Sequence, residues 1–482
     1  MLIQAPERVI YAPQSEKAED FISHEAILDT LEYADRLKDE RAAVDDILAK
    51  AREAKGLSHR EASVLLACDD PEKVQEIFDL AFDIKQQFYG NRIVLFAPLY
   101  LSNYCINGCL YCPYHRGSDI ARKKLTQEEI RAETIALQDM GHKRLAVEAG
   151  EDSVNNPIEY ILESLDTIYS VKHKNGAIRR VNVNIAATTV ENYRRLRDAG
   201  IGTYILFQET YDKAGYEHLH PTGPKHDYAY HTEAMDRAMQ GGIDDVGLGV
   251  LFGLEQYRYE FAGLLMHAEH LEAAFGVGPH TISLPRVKPA HGVDPGSFDG
   301  GISDELFAKL AACIRIAVPY TGMIISTREG KSVREKLLRL GVSQISGASR
   351  TSVGGYVESP EAGPEEDTRQ FEVSDTRTLD EVIRWLIDLN YVPSFCTACY
   401  RAGRTGDRFM ELCKSKQILN CCHPNALMTL KEYLMDYAGP ETYRAGEKLI
   451  EKELETIPKD KIRDLVRTNL ANIQNGQRDF RL

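Results

Sequence analysis

Cys105, Cys109 and Cys112 stand within eight positions of one another in "YCINGCLYCPYHRGS", residues 104–118, and no fourth cysteine lies nearby. Three thiolates spaced C-x3-C-x2-C can ligate three corners of a cubane iron–sulfur cluster and leave its fourth iron open to a substrate. The rival chemistry is a zinc knuckle, with His115 near enough to complete a closed tetrahedron. A second group, Cys396 and Cys399 in "SFCTACYRAGRTGDRFM" with Cys422 in "LNCCHPNA", reads C-x2-C-x22-C. There Cys413, Cys421 and His423 lie close by, and both zinc and a second iron–sulfur cluster are open readings.

Ten cysteines clustered rather than dispersed in 482 residues fit metal or redox chemistry better than a disulfide framework. A net charge of −15 repels phosphate backbones, so a nucleic-acid partner is not expected. Neither an apolar run long enough to span a bilayer nor a charged-then-apolar leader is present, so membrane insertion is not expected and the protein is read as cytoplasmic. With 43% hydrophobic and 27% charged residues, the chain suits one large domain with appendages.

The elements that must position the cysteines follow from periodicity. Residues 1–90 carry helical punctuation, such as Ser58 with Glu61 as a capping box, and form a helical N-terminal segment. From residue 92, eight short apolar or β-branched runs alternate with amphipathic helical stretches: "NRIVLFAPLY", "RLAVEAGE", "RRVNVNIAA", "TYILFQE", "DDVGLGVLFG", "HTISLPRVK", "GMIISTRE" and "SQISGAS". Thr126, Thr188, Ser303 and Ser332 are candidate caps for the intervening helices. The expected fold is α/β, a TIM-type (βα)8 barrel over residues 91–355, with a doubly wound sheet as the alternative. The Pro/Gly/acid-rich stretch 355–380 reads as a linker, and 356–482 as a helical C-terminal domain holding the second cysteine group. The first triplet then follows strand one, on the face where such barrels place their active sites.

C-x3-C-x2-C with Tyr111 before the last cysteine resembles the signature of the radical S-adenosylmethionine enzymes. The resemblance implies a 4Fe-4S cluster whose open iron chelates S-adenosyl-L-methionine and cleaves it to a 5′-deoxyadenosyl radical. "EAGE", residues 148–151, resembles that family's glycine-rich turn beside the methionine amine, with Ala149 in place of the first glycine and Glu151 as the candidate residue. Glu209, ending the fourth strand, is a candidate for the ribose or amine. Arg286, at the top of the sixth, is a candidate bidentate partner of the methionine carboxylate.

Taken with the second cysteine group, nearly the whole chain resembles the radical tyrosine lyases that mature FeFe-hydrogenase. That resemblance implies cleavage of L-tyrosine to p-cresol and a dehydroglycine fragment converted to carbon monoxide and cyanide. It implies a second, C-terminal iron–sulfur cluster with an additional labile iron bound with free L-cysteine, and a barrel interior serving as conduit between the two centres. It also implies ferredoxin or flavodoxin as electron donor and a GTPase scaffold maturase as recipient. A C-terminal domain capping the bottom mouth would draw the labile iron's protein ligand from the start of a strand, which selects His280; imidazole suits ferrous iron. His267 and His270 read as packing residues. Arg328 is the candidate for the tyrosine carboxylate, and Tyr100 and Ser346 are candidate neighbours of its amine. "GASRTSVGGY" lacks a P-loop ending and is set aside. The rival readings are the tyrosine lyase of thiamine synthesis, without a second cluster, and an iron–sulfur or zinc scaffold without catalysis.

Overall fold

The computed structural model describes residues 11–298, 301–357, 368–415 and 419–482. Positions 358–367 of the expected linker and the side chain of Cys413 lie outside the described residues. All eight expected strands form, and they close into a parallel barrel. They are β1 (Arg92–Ser102), β2 (Arg144–Ala149), β3 (Arg180–Asn184), β4 (Tyr204–Ile205), β5 (Val246–Gly249), β6 (Thr281–Ser283), β7 (Gly322–Ile325) and β8 (Gln344–Ser346). Closure is made by β8 on β1, where Leu95 pairs with Ile345. Strands with helices against their outer faces are buried on both sides, which is why they read as near-continuous apolar runs.

Caps behave as the side-chain chemistry dictates at most, though not all, helix starts. Ser58 and Thr126 form reciprocal capping boxes with Glu61 and Glu129, and Ser303 accepts from Leu306 N. Two expectations are corrected. Thr189, not Thr188, caps the third barrel helix, and Ser332 lies inside the helix Lys331–Leu340, whose N-cap is Gly330. The N-terminal helices sheathe one side of the barrel: Pro71–Tyr89 packs on Asp304–Ala317, and His59–Ala67 on Tyr257–Phe275. His267 and His270 are buried there, His270 stacked on Phe21 and paired with Asp236 at 2.8 Å.

A ninth strand, β9 (Val392–Ser394), was not expected in a region read as helical. It pairs in parallel with the first residues of β1, Arg92↔Val392 to Val94↔Ser394. Three residues with a central proline carry no alternation to detect, and proline is tolerated there because β9 is an edge strand with one free side. The helix Leu419–Asp436 packs on β9, so the second cysteine group is docked at the N-terminal mouth of the barrel. At the opposite end β1 shifts register against β2 between Tyr100 and Ser102, and such an irregularity re-aims the chain as it enters the cysteine loop.

Candidate functional site

The loop after β1 puts Cys105, Cys109 and Cys112 on the wall of an upper cavity of about 1140 Å³, together with Tyr111, Glu151, Glu209 and Lys225. Burial pushes the Cys109 thiol up to about 12 against the opposing pull of Lys225, and pushes Cys112 up to about 11. Thiols held this way ionise only when a further cation joins them, which is what bound iron provides.

Asn107 ties this wall together. Its amide donates to Glu151 Oε2 at 2.6 Å and to Cys105 Sγ at 3.8 Å, and its carbonyl oxygen accepts from Lys225 N at 2.9 Å. Lys225 Nζ in turn lies 3.0 Å from Glu209 Oε1. Glu209 holds φ 69°, an uncommon left-handed conformation for a non-glycine residue of the kind found where a side chain must be aimed. Gly150 of "EAGE" is required by close approach, since a Cβ there would meet Tyr104 O at 2.3 Å. Tyr111 donates its hydroxyl to His220 Nε2 at 2.7 Å, while His220 Nδ1 donates to Tyr216 O. Burial drives His220 down to about 3, so its ring is neutral and the tautomer is fixed by these two bonds.

The upper cavity continues into an inner barrel cavity of about 720 Å³, with Tyr100, Glu148, Asn184 and Arg328 on the walls of both. Tyr100, Arg328 and Ser346 therefore share one chamber. Tyr100 donates to Gln370 Oε1 at 2.8 Å, Ser346 Oγ accepts from Thr327 N at 3.0 Å, and Arg328 lies 3.9 Å over the Phe371 ring. Arg328 Nε is buried with no hydrogen-bond partner among the described residues, an orphaned cationic donor suited to a carboxylate.

Arg286 is not brought to this chamber. Its guanidinium is bound by Glu329 (2.9 Å), Asp304 (2.9 Å) and Ile302 O (2.7 Å), and it lines neither cavity. Lys225 and Lys288 are the other cations on the upper wall, and Lys288 is paired to Glu329 at 3.2 Å.

At the lower mouth a third cavity, about 710 Å³, is lined by Cys396, Cys399, Cys422 and His280 together with Arg92, Arg180, Asp245 and Arg404. Cys399 and Cys422 are 3.8 Å apart at sulfur, and Cys396 adopts φ 47°. His280 Nδ1 is 3.3 Å from Asp245 Oδ1, and burial lowers its pKa to about 4, which keeps a neutral ring ready to ligate. His423 turns away to Glu453 and Thr456, and neither it nor Cys421 lines this cavity. Successive inward residues of β1 and β8, Phe96 and Ser346 above, Val94 and Gln344 below, face different cavities, and Arg144 donates to Gln344 Oε1 at 2.9 Å as part of the floor between.

Comparison with known proteins matches residues 99–265 to the Radical SAM superfamily and 283–392 to the Biotin and Thiamin Synthesis associated domain. A crystal structure of HydG, a maturase of the FeFe-hydrogenase, superposes with TM-score 0.92 at 55% identity over 96% of this chain and 100% of that one. The chain belongs to the HydG family. HydG from Carboxydothermus hydrogenoformans gives TM-score 0.81 at 38% identity, covering 94% of this chain and 99% of that one. The 2-iminoacetate synthase of Salmonella typhimurium is 28% identical over 335 residues, 69% of this chain and 85% of its own length. As a radical SAM enzyme of the HydG family, the protein uses a 4Fe-4S cluster and S-adenosyl-L-methionine, and the three-cysteine wall of the upper cavity fits that cluster.

Reasoning from sequence missed Asn107, Lys225, Glu148 and Asn184. Glu148 had a signal: it lies two residues after Ala146 on the inward face of a barrel strand, where a charge is rarely packed without a task. Lys225 had none, because only the folded loop brings it to Glu209. No described helix is long and apolar enough to cross a membrane.

Proposed function

We propose that the protein cleaves L-tyrosine to p-cresol and a dehydroglycine fragment, which is converted to carbon monoxide and cyanide for the FeFe-hydrogenase active-site cluster. The observation that carries this reading is a pair of cysteine-lined cavities at opposite mouths of one barrel, the upper one continuous with a chamber holding an unpartnered arginine donor. Cys105, Cys109 and Cys112 hold the first cluster, while Glu151, Glu209 and Lys225 present two carboxylates and a cation to the amino-acid end of S-adenosyl-L-methionine. When bound, that pair supplies a 5′-deoxyadenosyl radical. Arg328 seats the tyrosine carboxylate, and the Tyr100 ring and hydroxyl fix its orientation. Cys396, Cys399 and Cys422 hold a second cluster, and His280 serves a labile iron beside it with L-cysteine as a further ligand. A low-potential carrier, ferredoxin or flavodoxin, supplies electrons, and a GTPase scaffold maturase receives the product.

Anaerobically reconstituted protein given tyrosine, S-adenosyl-L-methionine and a strong reductant is expected to release 5′-deoxyadenosine and p-cresol, with carbon monoxide trapped by deoxyhaemoglobin. Iron and sulfide counts for a single cubane, with p-cresol but no carbon monoxide, would move the assignment to the 2-iminoacetate synthase reaction. Neither organic product would leave only a scaffold.

A further inference from the structure

Three polar side chains stand on neighbouring strands at one level of the barrel: Tyr100 of β1 is in register with Glu148 of β2, and Glu148 with Asn184 of β3. Partners in register on parallel strands project to the same face, and all three line both the upper and the inner cavity. They form one rung at the junction of the two chambers. Glu148 has Asn184 beside it on the next strand and Arg328 as its nearby opposite charge. Around the rung stand the Tyr100 phenol from β1, with Tyr114 edge-on to its ring at 6.3 Å, apolar Phe207 after β4, and Ser346 of β8, and the upper cavity that the rung also lines carries the titratable groups Glu151, Glu209, Lys225, His231 and Lys288. Glu148 is therefore the carboxylate of the inner chamber that Arg328, Tyr100 and Ser346 share, and no ion-pair contact is made to it among the described residues.

Resting on the tyrosine-cleavage reading, the geometry points to Glu148 as a catalytic base that takes a proton from the substrate ammonium. If the orphaned Arg328 donor holds the α-carboxylate, the α-nitrogen lies one carbon away and faces the rung rather than the guanidinium, because like charges separate. The step is a proton transfer only. One N–H bond of the ammonium breaks with its electron pair left on nitrogen, an O–H bond forms on the carboxylate, and no electron donor or acceptor takes part. Burial raises the Glu148 carboxyl to about 8, near the range of an amino group, so the carboxylate that accepts the proton is the form that gains population as pH rises towards 8. The product is a neutral amine, whose remaining N–H bonds and lone pair stand open to the radical chamber.

The test uses the reconstituted two-cluster protein and its Glu148→Gln and Glu148→Asp variants. Tyrosine-dependent p-cresol and 5′-deoxyadenosine are followed from about pH 6.5 to about pH 9.5, a range spanning the ionisation of the amine. Expected is a parental kcat that rises with pH up to about 8, as the Glu148 carboxylate forms, and a Glu148→Gln variant that is lower by about tenfold or more, lacks that rise and gains activity only as free amine becomes available, with partial recovery in Glu148→Asp. Cluster electron paramagnetic resonance and S-adenosyl-L-methionine binding report that each variant is loaded and folded. A Glu148→Gln variant with the parental kcat and pH profile would overturn the proposal, as would a rise in KM alone with an unchanged profile, which marks an anchor rather than a base. A parent that makes no p-cresol would instead bring down the tyrosine reading, and this step with it.

Discussion

Glu148→Gln should stabilise the cluster-free protein, and only at high pH. In the fold the carboxyl is held at about 8 by burial, against 4.5 for an exposed glutamate. The folded state thus binds a proton that the unfolded chain has released over that interval, so stability falls as pH rises from about 4.5 to about 8. Each pH unit between those values is worth about 1.4 kcal/mol, which makes the ionised side chain a burden on the order of 4–5 kcal/mol at most. Glutamine keeps the shape and the capacity to hydrogen-bond but has no charge to bury. Melting of parent and variant, measured without metal by circular dichroism at about pH 5 and about pH 8.5, should give coincident curves at the lower pH and a variant higher by roughly 5 °C at the upper one. Glu260, also held at about 8 by burial, titrates in both proteins and cancels in the difference. A gap equal at both pH values, or none at either, would refute the account of Glu148 as a carboxylate kept neutral by its surroundings.

Further changes probe the other contacts. Cys109→Ala should abolish S-adenosyl-L-methionine cleavage and the upper cluster's spectrum, whereas Cys399→Ala should spare p-cresol formation while lowering iron content and halting carbon monoxide release. Asn107→Ala removes donors to Glu151 and Cys105 and the acceptor for Lys225 N; it should lower stability by about 2–3 kcal/mol and weaken S-adenosyl-L-methionine binding, read by calorimetry. Arg328→Lys keeps charge but loses the planar fork, and the tyrosine KM should rise by about 10–100-fold with the reconstituted cluster intact.

What the sequence made legible was what short range dictates. The eight barrel strands announced themselves as apolar runs, and both cysteine groups were readable because each is compact in sequence. Arg286 was misjudged because its partner, Glu329, lies 43 positions away and emerges only when β6 and β7 are adjacent. Lys225 and Asn107 gain meaning from a loop-to-loop approach that no periodicity encodes. β9 is three residues with a proline and is a strand only because the start of β1 offers it an edge. The floor between chambers, too, depends on which inward residues of β1 and β8 share a level, a matter of stagger rather than composition.

Strand β1 joins two ends that would otherwise be independent. Its eleven residues extend roughly 36 Å, with the cysteine loop issuing from one tip and β9 clasped to the other. Deleting one residue from its middle would reverse every side chain beyond the cut, putting lining residues where packing residues belong at whichever tip was displaced. The lower half accordingly has no edge to fold against without the upper, and the enzyme should resist dissection into separately expressed modules: the two centres are pieces of a single girder.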